Sequence, residues 1–157
     1  MSDSSVSSVS QADAQHPGTL SASFGRRVLA GVLGGLAGGV VFGMLMAMMG
    51  MLPTLASMVD SSSPVVGFGL HLMISVMIGL GLTVLFGNRL LSSYGRGAVV
   101  GLAYGAVWWI LGPLLIMPLM MDMPLFNLDS TNMFSLMGHL IYGVILGLVA
   151  VRVLKSR

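Results

Sequence analysis

Cysteine is absent from this 157-residue chain. Its absence excludes disulfides, thiolate metal sites, lipidated cysteines and thiol nucleophiles, and leaves no redox signature from which to read a compartment. Charge is nearly as scarce. Only 8% of residues are charged, seven Lys and Arg against five acids, where a soluble domain carries roughly 25%. No cluster of basic residues resembles a nucleic-acid footprint, so the pI near 9.5 reflects few ionisable groups and no nucleic-acid partner is expected. The apolar runs contain no Lys, Arg, Asp or Glu, and no Gly-x-Ser-x-Gly turn occurs. A hydrolytic triad therefore lacks its acid even though Ser75 lies one helical turn from His71, and the chain is not expected to be an enzyme.

What is abundant is apolar surface. Hydrophobic residues make up 55% of the chain and the mean hydropathy is +0.95, a composition whose natural solvent is lipid. Residues 1–24 are Ser-rich and polar, and read as a disordered cytoplasmic tail, with His16 in it. They are not a signal peptide, because the first apolar run starts after Arg26 and Arg27 and is long enough to span. Four runs follow: Val28 to Leu52, Val65 to Gly87, Gly97 to Met121, and Met133 to about Val151. Each approaches the roughly 20 residues that cross a bilayer. They lack the period-2 alternation of barrel strands, which leaves helices as the structure that satisfies every backbone group in lipid. The expected fold is an all-α membrane protein of four transmembrane helices.

Every basic residue falls on one side of these spans: Arg26 and Arg27, then Arg89 and Arg96, then Arg152, Lys155 and Arg157. The opposite connections, Pro53 to Pro64 and Asp122 to Asn132, carry Asp60, Asp122 and Asp129 and no Lys or Arg. The positive-inside rule puts both termini in the cytoplasm of a multi-pass protein of the cell (plasma or inner) membrane.

The halves also resemble each other. Phe24-Gly25-Arg26 parallels Tyr94-Gly95-Arg96, and an offset of 70 residues puts Gly31 on Gly101 and Gly35 on Gly105. Met48 to Pro53 parallels Met120 to Pro124, and His71 with Gly79 parallels His139 with Gly147. The expected organisation is two tandem parallel helical-hairpin repeats, 25–88 and 94–157, about an axis along the membrane normal. Glycines at four-residue spacing, Gly31, Gly35, Gly39 and Gly43 in the first span and Gly97, Gly101 and Gly105 in the third, form zipper-like stripes for close helix contact. Pro113 and Pro118 should kink the third span and open space beside Trp108 and Trp109.

His71 and His139 are the ionisable groups inside the spans, and each stripe of small residues turns them toward protein. Of the chain's 15 methionines, Met48, Met51, Met120, Met121 and Met123 lie at similar depth, near the outer ends of the first and third spans. Three readings follow from this constellation. Thioether and imidazole ligands suit copper as Cu(I), with the acidic connections attracting cations. Facing imidazoles suit the axial positions of haem b in an electron-transfer protein. Alternatively the histidines are interhelical hydrogen-bonding groups and the methionines adaptable packing, in an accessory or structural subunit that meets a protein partner or a second copy of itself. A small-solute channel or transporter is a further class that parallel repeats build.

The segments Trp108-Trp109-Ile110-Leu111-Gly112-Pro113, Met117-Pro118 and Gly138-His139-Leu140-Ile141-Tyr142-Gly143 resemble those of small four-helix prokaryotic membrane proteins of uncharacterised families. The resemblance covers residues 24 to 157. It implies the fold and a membrane location, and carries no activity with it.

Overall fold

A computed structural model describes residues 23–156, which are helical throughout apart from short connections and contain no strand. The expected tail falls almost wholly outside the described residues. Four helical spans are long and apolar enough to cross a membrane: Phe24–Met48, Pro64–Gly87, Tyr94–Met120 and Ser130–Lys155. They fall where the hydropathy of the chain predicts them.

Helix α1 (Phe24–Met48) starts at Ser23, whose hydroxyl accepts from the Arg26 amide. It ends two residues before Gly50, which turns the chain at φ +67°, a conformation glycine adopts without steric cost. The apolar run continues to Leu52, which opens a separate short helix, α2 (Leu52–Ala56), inside the expected connection, before α3 (Pro64–Leu90) returns. Proline opens both helices within their first two residues, where its missing N–H is not needed.

Helix α4 (Tyr94–Leu111) passes into a π turn over Gly112–Ile116 and then the short α5 (Met117–Met120). Proline causes the irregularity. Pro113 cannot donate to the carbonyl one turn earlier, and the chain widens until the Met117 amide reaches Gly112 O. Pro118 likewise frees the Leu114 carbonyl, which accepts instead from the Phe126 amide at 3.0 Å. That bond holds Phe126 at φ +53°, an uncommon conformation for a bulky residue. Helix α6 (Ser130–Lys155) is capped by Asp129, whose carboxylate accepts from the Asn132 amide at 2.8 Å.

The helices pack in the order α3, α1, α6, α4. Glycine sets this order by removing side chains from the seams. A β-carbon on Gly31 would fall 2.8 Å from Leu80 Cα, and one on Gly35 would fall 2.6 Å from Ser75 O, both on α3. On α4, a β-carbon on Gly97 would fall 2.6 Å from a Val151 methyl, and one on Gly101 would strike the Gly143 carbonyl on α6. A second glycine face on α1, Gly34 and Gly38, admits Leu146 and Tyr142 of α6. By contrast α3 and α4 barely touch. Tyr104 stands between them, its hydroxyl donating to Ile78 O at 2.9 Å.

At one end of the bundle Arg26 donates to the Val153 and Leu154 carbonyls at 2.8 Å, and to Ser156 O, capping α6. Arg27 donates to Val84 O of α3 at 2.9 Å, short of that helix's last turn. Arg26 thus satisfies orphan helix-end carbonyls.

Candidate functional site

The gap between α3 and α4 widens away from the arginine end into a cavity of about 290 Å³. Its floor is Phe42 and Met46 of α1 with Ser135, His139 and Tyr142 of α6. Its walls are His71, Ile74, Ser75 and Ile78 of α3 and Trp108, Gly112, Pro113, Ile116 and Met117 around the π turn. Met51, Leu55 and Met58, from α2 and its flanks, cover one side. The lining is overwhelmingly apolar, with two histidines set in it.

Both imidazoles are oriented by main-chain carbonyls. His71, 7% exposed, reaches across to α1, where its Nε2–H donates to Gly39 O at 3.1 Å. The neighbouring Cδ2 edge packs over Gly43, whose lack of a side chain gives it room. His139 turns back along its own helix, and its Nδ1–H donates to Ser135 O at 2.8 Å. A carbonyl can only accept, so each bond fixes which nitrogen carries the proton, and in the neutral ring the other nitrogen is a bare lone pair. The lone pairs are Nδ1 of His71 and Nε2 of His139.

Neither lone pair has a hydrogen-bond partner among the described residues, where Arg27 Nε is the one fully buried side-chain nitrogen or oxygen left unpaired. The two bare nitrogens are therefore not sealed in protein, and both residues line the cavity. The hydroxyls of Ser75 and Ser135 lie 3.5 Å and 3.4 Å from the protonated nitrogens of His71 and His139. Phe42 packs edge-on against both imidazoles, at 5.0 Å from His71 and 4.8 Å from His139 between ring centroids. Its ring seats in the slot left by Gly138. Tyr142, donating to Ser75 O at 2.6 Å, ties α6 to α3 beneath the cavity.

His71, His139 and Met51 thus share one cavity. Met48, Met120 and Met123 do not: they are 84%, 60% and 51% exposed and stay outside the lining, as does Met121. Similar depth was a poor guide, because Met46 and Met48 differ by about 200° around the helix and face opposite ways. The cavity's other thioethers are Met46, Met58 and Met117, which sequence reasoning missed along with Phe42 and Tyr142. Phe42 and Met46 are four residues apart on one helical face, which was a readable signal. Trp109 points elsewhere, its indole donating to Asn132 O at 2.8 Å, while Trp108 joins the wall. Among the described residues no three His, Asp or Glu side chains come together as a metal site.

No family model, curated protein or solved structure matches the chain.

Proposed function

We propose that the chain is a multi-pass protein of the cell membrane, both ends cytoplasmic, that binds a small apolar molecule bearing hydroxyl groups in the outward half of its bundle. One observation carries this reading: two imidazoles, each with a partnerless nitrogen that is not sealed in protein, line one apolar cavity of about 290 Å³. A mostly apolar pocket with a few convergent polar groups is the usual form of a small-molecule site, and buried acceptors left unpaired are costly until a donor meets them. Binding rather than catalysis is the activity, since no acid accompanies the histidines. The orientation is supported by the basic residues gathered at the end opposite the cavity.

The two hairpins are read as parallel copies. Gly31 faces Leu80 and Thr83 as Gly97 faces Gly147 and Val151, and Gly35 faces Ser75 and Val76 as Gly101 faces Gly143 and Val144. These pairs favour an offset of 66 residues on the first helix and 68 on the second. The offset of 70 suggested by Phe24-Gly25-Arg26 and Tyr94-Gly95-Arg96 is one helical turn out. The corrected equivalence accounts for the cavity. Gly34 and Gly38, which let α6 close on α1, correspond to Val100 and Tyr104, whose bulk holds α3 off α4.

Less supports the other readings. The glycine stripes on which an accessory-subunit role rested are occupied inside the chain, against α3 and α6. Haem b between the histidines has no support beyond the two imidazoles themselves. Copper keeps one specific support: the Nδ1–H of His139 donates to a carbonyl, as metal-ligating histidines do, and thioethers line the same cavity. Metal analysis of wild type against a His71→Ala, His139→Ala pair decides it, and equal metal content removes these ligands.

The binding reading is tested with tritiated 4-octylphenol on protein in lipid nanodiscs. A β-carbon on Gly112 would have a single neighbour, His139 Nε2 at 3.9 Å, so Gly112→Leu projects into the cavity. We expect saturable binding by wild type and its loss in Gly112→Leu with helicity unchanged. Equal binding by both proteins, or none by wild type, overturns the reading.

A further inference from the structure

We propose that the occupant is a quinol, a para-dihydroxybenzene head group on an apolar tail, held in preference to the corresponding quinone. This rests on the reading of the cavity as a binding site and adds what the ligand must be. The protonated nitrogens of His71 and His139 are committed to Gly39 O and Ser135 O, so the histidines offer acceptors alone. Ser75 and Ser135, each 3% exposed, have their hydroxyls beside those committed nitrogens. A quinone brings two carbonyl acceptors to two imidazole lone pairs, and can draw a proton from the Ser75 and Ser135 hydroxyls alone. A quinol brings a donor at each end of its ring.

Size and shape agree with this chemistry. Each imidazole centroid lies within 5.0 Å of the Phe42 centroid, so the two are at most about 10 Å apart, near enough for one small aromatic guest to meet both. The rings of Phe42, Trp108 and Tyr142 border the space and suit a flat aromatic guest. Met46 and Met117 adapt to ring substituents, as flexible thioethers do. The volume of about 290 Å³ sits at the low end of small-ligand pockets. It takes a head group, and the slit between α3 and α4 leaves the tail a path into lipid.

The test is displacement of tritiated 4-octylphenol from wild-type protein in nanodiscs by three compounds with the same decyl tail: a benzoquinol kept reduced, its quinone, and its dimethyl ether. We expect the quinol to compete at a concentration at least ten-fold lower than the other two. In His139→Phe that preference should fall several-fold. A quinone that competes as well as the quinol overturns the proposal even if the variant misfolds, because the comparison is made on wild type. Octylphenol binding that Gly112→Leu abolishes would then still support the cavity as a site. Absence of octylphenol binding would overturn both.

Discussion

Replacing Gly101 by alanine probes the seam that carries the second hairpin. Helices in lipid gain no hydrophobic free energy by associating, so close backbone contact through small residues has to supply the attraction. The added β-carbon would strike the Gly143 carbonyl oxygen and sit 2.7 Å from its carbon, where nonbonded carbons prefer about 3.5–4.0 Å. Both atoms opposite are backbone, so no side chain can swing aside, and α4 must move off α6 by about 1 Å. Overpacking of this kind costs about 1–3 kcal/mol, against which alanine recovers up to about 1 kcal/mol of helix propensity. Gly69→Ala is the matched control: it lies within α3 with nothing within 4 Å of its β-carbon, so it keeps the propensity gain without the clash. The two variants should therefore differ by about 2 kcal/mol in unfolding free energy, Gly101→Ala being the weaker. Steric-trap unfolding in bicelles measures this directly. Equal stability of the two, or a more stable Gly101→Ala, would refute the packing argument.

Further outcomes follow from other contacts. Tyr142→Phe removes the hydroxyl that donates to Ser75 O at 2.6 Å and should lower stability by about 1 kcal/mol, read as a fall in the thermal midpoint, while an unchanged midpoint would mean that the bond contributes nothing. Arg26→Ala leaves the α6 carbonyls of Val153 and Leu154 without their cap and should speed amide exchange in the last turn of α6 without altering the π turn. A cysteine placed at Arg89 in the otherwise cysteine-free chain should react with a membrane-impermeant maleimide only after the cells are opened. One placed at Asp122 should react in intact cells, and the reverse pattern would invert the proposed topology.

Much of the fold was legible because its causes are local. Runs of apolar residues, the prolines and the arginine ends are properties of short segments, and the spans fall where those signals put them. The seam of Gly101 and Gly143 was legible as spacing too. The phase of each helix was harder to read. Grouping methionines by depth placed Met48 with His71, whereas the rotation between Met46 and Met48 separates them. The break at Gly50 was also hidden inside a continuous apolar run that read as one span from Val28 to Leu52, and α2, with Leu55 over the cavity, fell in the expected connection from Pro53 to Pro64. Least legible was the contrast between Gly34 and Gly38 on α1 and Val100 and Tyr104 on α4. Its meaning depends on which helices become neighbours, a long-range fact, and it decides where the bundle stays open.

The nitrogen-15 resonances of the two histidine rings, recorded on protein in lipid before and after addition of the decyl benzoquinol, test the central claim most directly. We expect His71 to carry its proton on Nε2 and His139 on Nδ1, and the two bare nitrogens to shift as they accept hydrogen bonds from the ligand. Rings of the same tautomer, or bare nitrogens indifferent to a ligand present in excess, would contradict it.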